Sequence, residues 1–157
     1  MWGHARHPTA WLIDDGVDMM DERPSSDVRP MGGKLLPPGA GETLRVLDEV
    51  ATTKVGARET DGGLSVIELS MPAGGSVSEH AHPAGDETIY VLDGTFDVRI
   101  GPTRASLGAG GCAFIARGTV HAFRNIGDAR GRVLLISSPS AQAQRAWIEM
   151  AVGLARR

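Results

Sequence analysis

From Glu42 to Ser137 the chain is written in short runs of four to eight residues, rich in β-branched and apolar side chains, each closed by Gly, Pro, Asp or Asn. This punctuation restricts the fold more than any other feature, because runs of that length, with turn signals about every 8 to 12 residues, suit strands joined by tight turns. The runs read as strands over Leu44 to Val50, Thr52 to Glu59, Leu64 to Met71, Ser76 to His82, Glu87 to Leu92, Thr95 to Ile100, Ala105 to Leu107, Cys112 to Ala116, Val120 to Asn125 and Arg132 to Ser137. No helical pattern separates them, which disfavours a parallel sheet with crossover helices and points to an all-β sandwich or closed barrel. The abundance of glycine, 21 of 157 residues, and the 4% of aromatics agree with that class.

The two ends differ from this middle. Residues 1–40 contain Pro8, Pro24, Pro30, Pro37 and Pro38 and show no sustained periodicity, so they are expected to form a disordered or extended N-terminal arm. Residues 41–140 are expected to form the barrel. After Ser138-Pro139-Ser140 the period changes: Ala143, Trp147, Met150, Ala151 and Leu154 recur at helical steps, predicting one amphipathic C-terminal α-helix over 141–157. It is expected to pack on the barrel or on a partner subunit.

Charge and apolar content exclude several functions. With a net charge of −3 and no basic stripe, no nucleic-acid partner is expected. No apolar stretch approaches the ~20 residues that cross a bilayer, so no membrane partner is expected and the expected location is cytoplasmic. The single cysteine, Cys112, cannot form an internal disulfide and reads as a buried strand residue. His4 and His7 have no partner at ordered spacing and read as solvated.

The chemistry concentrates on the three remaining histidines. His80 and His82 lie two apart in an expected strand, so both imidazoles would point to one face and lean toward one ion. Pro83-Ala84-Gly85-Asp86 is turn chemistry, after which a strand opening on Glu87 is expected to return antiparallel beside the first and bring its carboxylate to the histidines. Alternation aims Glu79 at the opposite face and leaves Asp86 in the turn, so neither is counted as a ligand.

The wider spacing carries a family resemblance. Gly74 is followed by five residues, His80, one residue, His82, four residues, Glu87, six residues and Gly94; later Gly110 is followed by five residues, Ala116, one residue, Gly118, two residues, His121, three residues and Asn125. This resembles the two motifs of the cupin superfamily over residues 40–137, with one departure: Ala116 stands where the family usually has a turn-stiffening Pro. The resemblance implies a double-stranded β-helix, or jelly-roll barrel, in which His80, His82, Glu87 and His121 meet inside to hold one divalent transition-metal ion. Such a nitrogen and oxygen set suits Fe, Mn, Ni, Co, Cu or Zn and leaves coordination positions open for substrate. Strand alternation then places Ser78, Ile89, Val91 and Phe123 around the ion as a mostly apolar substrate pocket.

The likeness to small quercetinase-like members, to which the stretch from Leu36 to Leu47 adds, implies a metal-dependent dioxygenase acting on a phenolic or enolic small molecule. In that reading Glu87 is also catalytic, taking a proton from a bound hydroxyl. Two alternatives stay open: a non-oxidative isomerase, lyase, decarboxylase or cyclase using the same metal, and a small-molecule-binding protein without catalysis. The family habit of pairing through terminal segments implies a homodimer.

Overall fold

A computed structural model describes residues 32–139. Ten strands follow one another: β1 (Glu42–Val46), β2 (Glu49–Val55), β3 (Ser65–Met71), β4 (Ser76–His80), β5 (Asp86–Asp93), β6 (Thr95–Ile100), β7 (Thr103–Gly108), β8 (Cys112–Ile115), β9 (His121–Asn125) and β10 (Gly131–Ser138). They form two antiparallel sheets, one in the order β1-β2-β3-β10-β5-β8 and the other β4-β9-β6-β7. Successive strands repeatedly change sheets, and the result is the jelly roll that strand spacing and motif spacing predict.

Period-2 alternation builds the core. In β3, Ser65, Ile67, Leu69 and Met71 point inward, and in β10 the inward set is Val133, Leu135 and Ser137. Leu69, Ile89, Val91, Phe96 and Val133 are wholly buried between the sheets, each contributing roughly 1.5–3 kcal/mol by leaving water. Gly94, between β5 and β6, has φ +85°, and a Cβ there would come within 3.0 Å of the Gly131 Cα, so both glycines at this corner are needed for the strands to approach.

Three strand expectations are corrected. The first turn falls at Leu47-Asp48 rather than after Val50; Leu47 adopts φ 54°, a left-handed conformation that no Gly or Asn announces in the sequence. The strand expected to run to Glu59 stops at Val55, where a 3-10 turn over Ala57–Thr60 takes over, its start held by the Gly56 N–H donating to the Glu59 carboxylate. Cys112 is exposed, because Ala113 and Ile115 occupy the inward positions of β8.

Residues 32–40 precede the barrel without strand structure, tethered by the Lys34–Glu59 ion pair and by Lys54 donating to the Ala40 carbonyl. Most of the expected arm, residues 1–31, and the expected helix over 141–157 lie outside the described residues. Among the described residues no helix is long and apolar enough to cross a membrane.

Candidate metal centre

His80, His82, Glu87 and His121 converge inside the barrel, with one potential ligand atom of each lying within 4.8 Å of all the others. Their routes to this point differ from the simple hairpin the sequence suggests. His80 ends β4 and His121 opens β9, and the two face each other in register. His82 lies beyond the end of β4, outside any strand. Glu87 does not return beside the histidines: β5 belongs to the six-stranded sheet and pairs with β8 and β10, whereas β4 pairs with β9 in the other sheet. The turn at Pro83-Ala84-Gly85 therefore carries the chain across the barrel, and the carboxylate meets the histidines face to face.

A β-bulge sets the aim of His80. Between the Val77↔Phe123 and His80↔His121 pairs, β4 spends three steps where β9 spends two. The extra residue brings Val77 and His80 to the same side although they are an odd number apart, and it brings Glu79 to the cavity wall, against the expectation from strict alternation. Glu79 is not a ligand candidate there, since it pairs with Arg99.

Hydrogen bonds fix two of the imidazoles. His80 Nδ1 lies 2.8 Å from the Ser78 carbonyl and His121 Nδ1 lies 3.0 Å from the Thr119 carbonyl, so with Nδ1 as donor in each ring, Nε2 is left as the lone-pair nitrogen. His121 Nε2 is 3.0 Å from Glu87 Oε2, and His82 Nε2 is 3.7 Å from the same oxygen. His82 Nε2 is buried with no hydrogen-bond partner among the described residues. Such an orphan nitrogen, beside a carboxylate that is only 4% exposed, is the arrangement a cation satisfies. With metal–ligand distances of about 2.0–2.2 Å, the four donors need only small adjustments to enclose a transition-metal ion.

The ionisation of these groups follows from the same contacts. Burial by itself would raise Glu87, but His121 at hydrogen-bond distance and His82 nearby outweigh it and hold the carboxyl at about 2. Burial lowers His80, with the neighbouring imidazoles adding to the effect, which favours the neutral, metal-binding form. For His121 burial is the largest single influence and acts downward, but the hydrogen bonds to Glu87 and to the Thr119 carbonyl, with the charge of Glu87, together outweigh it and the net displacement is upward.

A cavity of about 650 Å³ opens from this centre, walled by Val46, Leu47, Pro72, Val77, Phe123 and Leu135, with Ser78, His80, His82 and Glu87 among its polar lining. Of the four pocket residues expected from alternation, Ser78 and Phe123 line it. Ile89 and Val91 instead belong to the packed core, both wholly buried, because the inward face of β5 beyond Glu87 is sealed by the opposite sheet. Leu47 in the β1–β2 turn and Glu49 at the start of β2 also line it, a contribution that motif spacing cannot reveal.

The segment after β8 ties the two motifs together. The Gly118 N–H donates to the His82 carbonyl at 2.9 Å, and Arg117 pairs with Asp86, the residue before Glu87. Ala116 accepts from the Thr119 N–H at 3.1 Å, closing a tight turn without the proline expected there. Asn125 is wholly buried, and its Nδ2 donates to the carbonyls of Pro72 and Ala129 while Oδ1 accepts from Gly127, so the last position of the second motif is a structural tie between loops.

Comparison with known proteins agrees with this geometry. The family described as "Cupin domain" matches residues 67–137. The tetracenomycin polyketide synthase protein TcmJ of Streptomyces glaucescens is 37% identical over 101 residues, covering 64% of this chain and 64% of that protein, so the match spans less than two thirds of its length. Protein SchB of Streptomyces halstedii is 32% identical, over 64% of this chain and 69% of its own length. Quercetin 2,3-dioxygenase of Bacillus subtilis is 27% identical over 57% of this chain but only 27% of that protein. Among solved structures, KdgF from Halomonas sp. superposes with a TM-score of 0.64 at 17% identity, covering 72% of this chain and 99% of that one, which speaks to the fold alone.

Proposed function

Because this chain belongs to the cupin family, we propose that it is a metal-dependent enzyme acting on a phenolic or enolic small molecule held through two neighbouring oxygens, and that the reaction is a dioxygenation. The observation that carries the reading is the cluster of four ligand-capable side chains, of which His80, His82 and Glu87 line an apolar-walled cavity of about 650 Å³ while His121 lies wholly buried beside them. That volume lies within the range of small-molecule sites. The likeness to quercetin 2,3-dioxygenase supports the oxidative step.

A transition metal bound here would supply Lewis acidity, lowering the pKa of a chelated hydroxyl. The protein supplies the rest. The Ser78 and Thr119 carbonyls hold His80 and His121 in the binding tautomer. Val77, Phe123 and Leu135 exclude water from around the bound ring. Glu87, buried at the centre beside His82 and His121, is in this reading the carboxylate that takes the hydroxyl proton once that hydroxyl has been acidified.

A second reading keeps the site and substrate class but replaces oxygenation by a non-oxidative rearrangement such as ring closure. It is favoured by the likeness to TcmJ, a protein whose name ties it to polyketide synthesis. Dioxygen consumption against a panel of phenols and β-diketones separates the two readings. Uptake of one dioxygen per product formed supports dioxygenation, and undiminished turnover under strict anaerobiosis replaces it with the rearrangement.

A further inference from the structure

The cavity is elongated and its two ends differ in chemistry. Its wall follows β4 from Ser76 to His80, roughly 13 Å at the ordinary strand rise, with the ligand-capable residues at the His80 end. Glu49 lies toward the other end. It opens β2 one residue before the Val50↔Ser70 pair, which sets it beside the Met71-Pro72 corner from which β4 departs, and both Glu49 and Pro72 line the cavity. The backbone that carries Glu49 is anchored, since Arg130 Nη1 donates to the Asp48 carbonyl at 3.0 Å.

Charge at that end is one-sided. The lining includes Asp48 and Glu49 there, and Glu79 and Glu87 nearer the histidines, but no Lys or Arg. Glu79 is occupied by Arg99, whereas the Glu49 side chain has neither hydrogen bond nor ion pair among the described residues. Between the ends, Val77, Phe123 and Leu135 offer only apolar contact.

We infer that Glu49 is a specificity-determining residue that reads the end of the substrate remote from its chelating oxygens, accepting a hydrogen bond from a hydroxyl there and rejecting a carboxylate. The substrate class that fits is an elongated, uncharged, hydroxylated ring system, spanning the cavity with one end toward the histidines and the other toward Glu49. A carboxylate at the remote end would enter a space lined by acidic side chains and by no Lys or Arg, and would be repelled. Burial raises the Glu49 carboxyl. The orientation assigned to the substrate rests on the chelation proposed above.

Three dyes test this with the full chain loaded with Zn(II), which binds without supporting oxygen chemistry, so that absorbance titration reads binding alone. Alizarin has a chelating catechol and a bare far ring, flavopurpurin adds a hydroxyl to that far ring, and the third dye is alizarin with a far-ring carboxylate. The expected result is that flavopurpurin binds about 10-fold more tightly than alizarin, the value of one hydrogen bond to a charged acceptor. The carboxylated dye should bind more weakly than alizarin. In Glu49→Leu the hydroxyl preference should vanish, and in the isosteric Glu49→Gln the carboxylated dye should recover affinity. Equal binding of alizarin and flavopurpurin by the unmodified protein, or a preference that survives in Glu49→Leu, overturns the role of Glu49 while leaving chelation intact. Absence of binding by all three dyes to zinc-loaded protein overturns the chelating reading itself, and this inference with it.

Discussion

Arg117 grips Asp86 at two points, Nη2 lying 2.9 Å from Oδ2 and Nε 3.1 Å from Oδ1, while the Arg117 backbone N–H donates to the same Oδ1 at 2.9 Å. Asp86 immediately precedes Glu87, and Arg117 immediately precedes Gly118, whose N–H holds the His82 carbonyl. The pair thus joins the strand bearing the carboxylate to the loop that leads into His121. Partners behind metal ligands typically carry 10–100-fold in affinity. Arg117→Ala is expected to weaken metal binding by about 10-fold with little change in melting temperature, since the pair is largely solvated. Competition with a chromophoric chelator measures this, and an affinity equal to that of the unmodified protein would remove the pair from any role at the centre.

A metal ion bound only by the folded state stabilises it by mass action. Stripping the metal with a chelator is therefore expected to lower the melting temperature of the unmodified protein by several degrees. His121→Ala is expected to melt at one temperature with and without added metal. Persistence of the metal-dependent shift in that variant would place the ion elsewhere.

The Glu87–His121 pair gives the metal-free protein a characteristic pH dependence. A lowered carboxylate contributes stability that is present above its ordinary value of 4.5 and is lost as pH falls toward about 2. A raised imidazole contributes stability that is present below its ordinary value of 6.5 and is lost as pH rises through its displaced value. Glu87→Gln should therefore be most destabilising, relative to the unmodified chain, between pH 4.5 and 6.5, with the difference narrowing on both sides. Urea midpoints of chelator-treated protein across this range test it; a difference that does not vary with pH would mean that the pair is not ionic.

Asn125 closes three loop ends at once, and removing its amide takes from the Ala129 carbonyl and the Gly127 N–H the partner it supplies and leaves the Pro72 carbonyl with the Gly75 N–H alone. At about 1–3 kcal/mol for each group left unsatisfied, tempered by the water that reaches these part-buried loops, Asn125→Ala is expected to cost roughly 2–4 kcal/mol. Chemical denaturation measures it, and a loss below about 1 kcal/mol would mean that the loops hold themselves together.

Where sequence and structure agree, the cause is local. Thr95–Ile100 is bounded by Gly94 and Gly101, both at positive φ, so its limits are legible as turn chemistry. The four residues that converge at the centre were legible because spacing along the chain survives any folding of the strands. What could not be read depends on partners distant in sequence. Nothing near Glu87 tells that β5 pairs with β10, forty-odd residues on, and so lies in the sheet opposite His80. The bulge that turns Val77 and His80 to one side exists only against β9. Leu47 adopts φ 54° because the hairpin needs a turn there, although leucine does not favour it. Glu49 enters the cavity from a strand far from either motif.

The centre draws His80 and His121 from one sheet of the sandwich and its carboxylate from the other, with His82 on the segment that crosses between them. An ion held there is a rivet through both layers, and its grip depends on the distance between them. Core substitutions that let the layers drift apart, such as shortening Leu69 or Leu135, will therefore surface first as faster metal loss, well before the chain unfolds. Metal release thus serves as a gauge of how far the sandwich breathes.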